Sequence, residues 1–391
     1  MTKNLTRRPV ALAAAGMALV LGLAACQSGG SGGSGGSSES TAAASAGSSE
    51  EGLAEAKQIV EDYRQPPKWQ GPEEPVSVDG LAGKRVVYIS VNDGIPVLAF
   101  WSNRLTELLK EYGDIKMEVV DAKGSVDTAN QGFQQAIATK ADAVVIQALP
   151  ASLFAAQIAQ AKAAGIKVIT ANTGIPGDVS GGQDAEVSFD YAEVGRIIGA
   201  WMVADSEGQG KALVVSSDDV PASPPQAEAT VSEVERLCPD CDVKVEDVQI
   251  PQWQSSIPTL FQTTVNSEPD RTYLLPIYDG QALPGLGALR TTSNQDVKVG
   301  SFNATPGIVE QLTDPSSALK LDVGGQNEWW AYAAADQIFR VLSGAEPVEN
   351  YHVGLRIFDE SNADLIQGDD EFAWYESDEY TTKFPELWGA N

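Results

Sequence analysis

Catalysis by nucleophiles or metals draws first on histidine and cysteine, and this 391-residue sequence has a single histidine, His352, and three cysteines, Cys26, Cys238 and Cys241. Around one imidazole neither a His/Cys metal cluster nor a Ser-His-Asp triad can be assembled. Cys238-Pro239-Asp240-Cys241 reads most economically as a disulfide in a turn between a helix and a strand. A thioredoxin-like redox pair would instead stand at the head of a helix after a strand. Hydrolysis by two carboxylates stays formally open, because Asp93, Asp219 and Asp279 could face one cleft. Gly285-Leu286-Gly287 lies inside a helical run rather than ahead of a helix, so no phosphate loop is indicated. No metal and no cofactor are expected. What recurs is small polar chemistry at the ends of apolar runs: Ser90, Asn92 and Asp93 close one, and Ser216-Ser217-Asp218-Asp219 close another. Such groups suit reversible binding, since amides and hydroxyls both donate and accept hydrogen bonds.

The elements that carry these groups alternate. Apolar strand-like runs are expected at 85–90, 116–121, 143–147 and 167–171, with a crossing strand at 186–190. A second set is expected at 211–216, 243–248, 272–277 and 297–301, then at 319–325 and 353–358. Amphipathic helical runs fall between them, including 222–237, 255–266, 280–291, 306–313 and 328–342. A spacing of roughly 25–30 residues predicts right-handed βαβ units and parallel sheets. The fold class expected is therefore α/β, with two doubly wound lobes. Ligands in such sheets bind at the carboxyl ends of the strands. Gly324-Gly325 and Gly354 either supply backbone freedom for a hinge or simply close turns.

Lys3, Arg7 and Arg8 precede a short apolar run at 10–25, the pattern of an export signal rather than a membrane span. The run ends in Leu23-Ala24-Ala25-Cys26, which resembles the lipobox of bacterial lipoproteins. That resemblance implies cleavage before Cys26, lipidation of its sulfur and anchorage to the outer face of the cell membrane. Residues 26–50, rich in Gly and Ser, read as a flexible tether with a reach of roughly 25–30 Å. Residues 51–83 read as an N-terminal helix, stopped by Pro66-Pro67, and an extended lead-in. The formal charge of −28 becomes about −31 once the signal is removed. Nucleic acid is excluded as a partner, because its binding needs Lys and Arg to neutralise phosphates.

The order of strands, the lipobox and the strand-end loops resemble the type I periplasmic binding proteins, in particular ribose-binding-like solute receptors of ABC importers. The resemblance spans 84–358 and rests on Val168-Ile169-Thr170-Ala171-Asn172, on Tyr278-Asp279-Gly280 before a helix, and on Val299-Gly300-Ser301-Phe302-Asn303-Ala304-Thr305-Pro306. It implies a three-crossing hinge near 189, 324 and 354, joining lobe 1 (84–189 with 325–353) to lobe 2 (190–324 with 354–391). It also implies a cleft lined by Ser90, Asn92, Asp93, Asn172, Gln226, Trp253, Tyr278, Asp279, Asn303 and Gln326. Gln147 joins that set as the end of the third strand. Sugar-binding relatives carry charged residues where this chain has Asn172-Thr173, Gln226 and Asn303, which points to a neutral sugar or polyol-like ligand without implying a pentose.

The function so implied is solute capture by a monomeric lipoprotein that delivers its ligand to an ABC permease. A ligand-sensing receptor that docks on a membrane kinase or chemoreceptor needs the same clamp, and an extracellular enzyme is a third class. A LacI-type repressor shares the fold, but the sequence has an export signal and no DNA-binding head.

Overall fold

The computed structural model describes residues 39–294, 296–368 and 371–390. Cys26, the export segment and most of the tether lie outside the described residues. The chain divides into a unit at 1–44 and a unit at 45–391. Of the first, 39–44 are helical, the beginning of α1 (Glu39–Arg64). The coil expected up to residue 50 is thus corrected. Its alanine run, Ala42-Ala43-Ala44, has the highest intrinsic helix propensity.

The first sheet follows. β1 (Arg85–Ser90) is buried at every position after Arg85, the mark of a strand covered on both faces. α2 (Pro96–Gly113), with Pro in its first turn, leads to β2 (Lys116–Asp121). The Ser125 hydroxyl accepts from the Thr128 N–H to cap α3 (Val126–Thr139). β3 (Ala143–Gln147), α4 (Ala155–Ala163), β4 (Lys167–Ala171) and the short β5 (Ala185–Val187) complete a five-stranded parallel sheet of order β2-β1-β3-β4-β5.

α5 (Tyr191–Asp205), capped by Asp190, was not foreseen. It is buried on nearly every side, packed against α6 (Ser223–Leu237), so it lacks the polar stripe that betrays a surface helix. β6 (Lys211–Ser216), β7 (Asp242–Asp247), α7 (Trp253–Ser267), β8 (Tyr273–Pro276), α8 (Asp279–Leu289), β9 (Lys298–Phe302) and β10 (Leu319–Gly325) follow. Cys238 and Cys241 are joined by a disulfide between α6 and β7. The helix expected at 306–313 is only a 3₁₀ turn, Val309–Thr313. After α9 (Asn327–Ser343) comes β11 (Leu355–Asp359), antiparallel to β10. The second sheet has the order β11-β10-β9-β8-β6-β7 and is otherwise parallel.

α9 packs on α2 and β5, so it belongs with the first sheet. Between the sheets the chain passes at 188–190, at Gln326 and at 344–354. The Gly324-Gly325 pair does not serve backbone freedom, since neither φ is positive. A Cβ at Gly325 would lie 2.6 Å from the Phe189 ring, and one at Gly324 would strike the Tyr375 hydroxyl. The glycines allow the crossings to pack against each other. Beyond β11, α10 (Glu371–Tyr375) leaves Tyr375 edge-on to Phe358, whereas α11 (Tyr380–Leu387) lies on α9. The C-terminal residues, expected wholly in the second lobe, therefore end on the first, drawn there by Tyr380, Phe384 and Trp388 against Trp329 and Tyr332.

Candidate ligand cleft between the lobes

Strand register assembles the polar edge of the first lobe. Ser90 at the end of β1 pairs with Gln147 at the end of β3, and Gln147 pairs with Ala171, so Asn172 stands one residue beyond. At ordinary strand spacing the three side chains fall within about 10 Å of one another. All three are buried: Ser90 and Gln147 are 0% exposed and Asn172 is 3% exposed. Yet the Ser90 hydroxyl, both amide atoms of Gln147 and both of Asn172 meet no partner within the protein. Asn172 also holds a left-handed backbone (φ 54). Buried polar atoms are almost always paired in folded proteins, so such a cluster calls for an external partner.

Asp93 joins this edge. Its backbone N–H is held by the Asp121 carboxylate, while its own Oδ1 is buried without a partner. Burial, with the Asp93 charge nearby, holds the Tyr88 phenol well above its ordinary pKa. Asn92 is turned to its own loop, accepting from the Gly94 N–H.

The facing lobe is built differently, because its candidate groups are already engaged. Gln226 donates to the Ile277 carbonyl at 3.1 Å and leaves only its Oε1 without a partner. The Trp253 indole N–H donates to the Val248 carbonyl at 2.9 Å and the Ser217 hydroxyl at 3.1 Å. Half-buried, Trp253 tilts against Tyr278 with ring centroids 6.4 Å apart. Tyr278 continues to Phe302, and Phe302 to Tyr191 and Phe189 at the crossing, so an aromatic floor runs from the second lobe to the hinge. Burial pushes the Tyr278 phenol well above its ordinary pKa, so it stays neutral. Asn303 follows β9 half-buried with φ 126, its N–H donating to the Val323 carbonyl.

One expected lining residue serves the scaffold instead. Asp279 is fully buried within the second lobe: its Oδ1 accepts from the Ser301 hydroxyl at 2.6 Å and its Oδ2 from the Thr305 N–H at 2.7 Å. Both its oxygens are therefore spent within the second lobe. Asp219 accepts from the Ser217 hydroxyl and the Ile250 N–H, so Asp93, Asp219 and Asp279 do not converge as a hydrolytic pair. Gln326 donates to the Ser377 carbonyl at 2.6 Å, which locks a crossing to the C-terminal segment, and leaves its Oε1 buried without a partner.

The lobes meet at one rim. A Cβ on Gly174 (φ 112) would lie 2.7 Å from the Pro221 carbonyl oxygen, so the loop after β4 touches the loop after β6 in a closed arrangement. Among the described residues no cluster of His, Cys, Asp and Glu is grouped to hold a metal.

A model of the periplasmic binding protein domain matches residues 86–346, two-thirds of the sequence. The chain belongs to the periplasmic binding protein family. Among solved structures, this periplasmic binding protein resembles an ABC sugar transporter subunit from Rhodobacter sphaeroides (TM-score 0.65, 19% identity, 72% of this chain and 100% of that one). It also resembles two solute-binding proteins of ABC transporters. One, from Agrobacterium vitis, has bound allitol (TM-score 0.65, 20% identity, 73% and 98% covered). The other, from Bacillus halodurans, has bound myo-inositol (TM-score 0.62, 16% identity, 73% and 98% covered). At these identities the likeness is one of fold. No curated protein matches the chain. Membership makes it a binding protein rather than an enzyme.

Sequence reasoning passed over two features of the binding protein's cleft region. Glu186, in β5, is 1% exposed and accepts from the Ser188 hydroxyl and the Gly177 N–H. Burial raises its pKa to about 8 despite these donors. The signal available was a carboxylate in an otherwise apolar strand, Ala185-Glu186-Val187. The other is Asp322 in β10, wholly buried within reach of Asp279 and accepting from the Ala304 N–H at 3.0 Å. Burial, and the neighbouring Asp279 charge, drive its carboxyl well upward.

These groups fix a pH dependence. Glu186 and Asp322 keep their protons to a higher pH folded than unfolded, so their contribution is complete below the unfolded carboxylate range. It is lost as pH rises through the folded values, at about 1.4 kcal/mol per pH unit for each proton. Melting temperature should therefore decline between about pH 4.5 and 8. Glu186→Gln and Asp322→Asn, which mimic the neutral forms, should each flatten that decline in a calorimetric series. A wild-type profile that is flat or rises across this window would contradict the assignment.

Proposed function

We propose that this protein captures a small, uncharged, polyhydroxylated solute, a sugar or polyol, between its lobes and delivers it as a monomer to an ABC permease. The observation that carries the reading is the partnerless edge of Ser90, Gln147 and Asn172, all neutral and all able to meet hydroxyls. An anionic ligand would need a paired positive charge, which this edge lacks, since stripping water from an unpaired charge costs several kcal/mol; the neighbouring Asp93 carboxylate oxygen can accept from a hydroxyl. Asn92, Asp93 and Gln226 flank that edge, Trp253 and Tyr278 offer it an apolar wall, and Asn303 adds an amide from the facing lobe. The polyols bound by two of the structural neighbours, allitol and myo-inositol, agree with this chemistry.

Delivery is supported by the rim. Ile95, Phe100, Leu153 and Ile175 of the first lobe, with Ile250 and Leu283 of the second, are exposed large apolar side chains on the loops and helix starts around the strand ends. Exposed apolar groups on such loops suit a protein partner. A thermal-shift panel of hexoses, inositols and linear polyols tests capture: a true ligand at 100 times its dissociation constant adds about 2.7 kcal/mol of stability. A panel silent for neutral polyols but positive for organic acids would overturn the reading.

Anchorage through Cys26 completes it, on the strength of the lipobox; among the described residues no helix is long and apolar enough to cross a membrane. Cys26→Ser should move the protein from the detergent phase to the medium or leave it unprocessed. Detergent partitioning unchanged from wild type would rule the anchor out.

A further inference from the structure

We infer that the two ends of the chain form a clasp across the hinge, which restrains the opening of the lobes, and that Trp69 and Arg64 are its positioning residues. This rests on the two-lobed binding reading, but only on its geometry. The family match runs from residue 86 to 346, so both ends, 50–83 and 355–390, lie outside the matched range.

The N-terminal arm is fixed first to the second lobe. In α1, Glu55 pairs with Arg236 of α6 at 2.9 Å and Lys57 with Glu207 at 2.7 Å. The Tyr63 hydroxyl donates to Glu193 of α5. Arg64 pairs with Asp359 of β11 at 2.6 Å, and its carbonyl accepts from Arg356 of the same strand at 2.9 Å. The arm then crosses at Pro66-Pro67, where Pro67 lies against the backbone of Gly354 in the third crossing. Past that point it is fixed to the first lobe. Trp69 stacks on Trp329 of α9 with centroids 5.4 Å apart and meets Phe384 of α11 edge-on at 5.0 Å. Arg340 of α9 donates to the Glu74 carbonyl at 2.6 Å, and the Val76 N–H donates to the Leu387 carbonyl.

The C-terminal segment makes the same passage. Tyr375 packs on Phe358 of the second lobe, Ser377 ties the crossing residues Gln326 and Pro67 together, and Trp388 donates to Asp336 of α9 at 2.8 Å. The lobes are thus joined by five strands of chain: the crossings at 188–190, Gln326 and 344–354, and the two passages made by the chain ends. A rotation that opens the cleft must bend both added passages or peel one from its lobe. The ion pairs of α1 are largely exposed and contribute little each, whereas the stacked Trp69 gives up its partners as a unit. The two adjacent prolines stiffen the passage, because each fixes its own φ and restricts the residue before it.

The test measures opening without any solute, on protein unfolded, dialysed free of small molecules and refolded with its disulfide intact. Spin labels at Val126→Cys in the first lobe and Ile250→Cys in the second, both exposed positions, report the distance across the cleft by pulsed electron resonance. The host is the full chain carrying Cys26→Ser, with Cys238 and Cys241 left in their disulfide. The clasped chain should show one narrow distance, with any wider population under roughly a tenth. Trp69→Ala should make the wider population the major one, and Trp69→Phe should restore the narrow one. Where Trp69→Ala does not fold, Trp69→Leu serves in its place. A variant that melts earlier yet keeps the narrow distance would overturn the clasp, for the arm then stabilises the lobes without restraining them. Because no ligand enters the measurement, failure of the solute assignment leaves this result unchanged.

Discussion

Gln147→Leu is expected to raise the melting temperature of the ligand-free protein while removing its ability to hold a solute. The side chain is fully buried and neither of its amide atoms has a partner in the protein. An unsatisfied buried polar group costs about 1–3 kcal/mol, and leucine of similar volume carries no such penalty. For a lobe of this size each kcal/mol corresponds to roughly 2–4 °C, so a gain of several degrees is expected. Binding moves the other way, because a ligand hydroxyl would face a methyl group where it had an amide. The missing bonds and the stranded hydroxyl together should weaken capture by about 2–4 kcal/mol, roughly 30- to 1,000-fold. Scanning calorimetry and titration calorimetry on one preparation read both signs. A variant that is less stable and still binds would mean that Gln147 is a structural residue with an unnoticed partner.

Trp253→Ala should damage both properties at once. The indole walls the cleft beside Tyr278, but its N–H also ties the start of α7 to Val248 and Ser217. It packs against apolar residues of two core clusters besides. Removing a buried tryptophan costs about 3–5 kcal/mol, and half-exposure places this one at the lower end of that range. Without the indole as a wall, the ligand buries less apolar surface, which weakens affinity by about 1–3 kcal/mol. From sequence alone only this second effect was expected, because a tryptophan in a loop gives no sign of where its N–H is used. Trp253→Phe keeps much of the wall but not the donor, so it should recover affinity more fully than stability. Equal recovery of both in a melting and titration series would show that the two hydrogen bonds contribute little.

Local grammar explains what could be read in advance. β1, β3, β4 and β6 begin and end where their apolar runs do, since strands covered on both faces carry few polar residues inside the run, whereas the edge strand β2 is largely exposed and has Glu118 within it. The carboxyl edge of the first lobe was legible in part for the same reason: Ser90 and Gln147 end β1 and β3, while Asn172, the residue after β4, was expected from the family resemblance. α5 was not legible, because burial on all sides erases the 3.6-residue period that reveals a helix. Nor was the path of the C-terminus, whose aromatic residues find partners on α9 through packing that no local pattern encodes. Asp279 looked like a cleft residue through its position in the Tyr278-Asp279-Gly280 motif. Its true partners, Ser301, Thr305 and Asp322, come from neighbouring strands and their loops, and only the assembled sheet brings them within reach.

In the proposed function a neutral, hydroxyl-rich solute completes the partnerless edge of the first lobe. The most direct test of this function is mass spectrometry of what the wild-type protein and Gln147→Leu release on denaturation after isolation from the same growth medium. The account predicts close to one uncharged polyhydroxylated molecule per wild-type chain and none from the variant. A strongly anionic or cationic ligand, or the same molecule retained in full by Gln147→Leu, would contradict it.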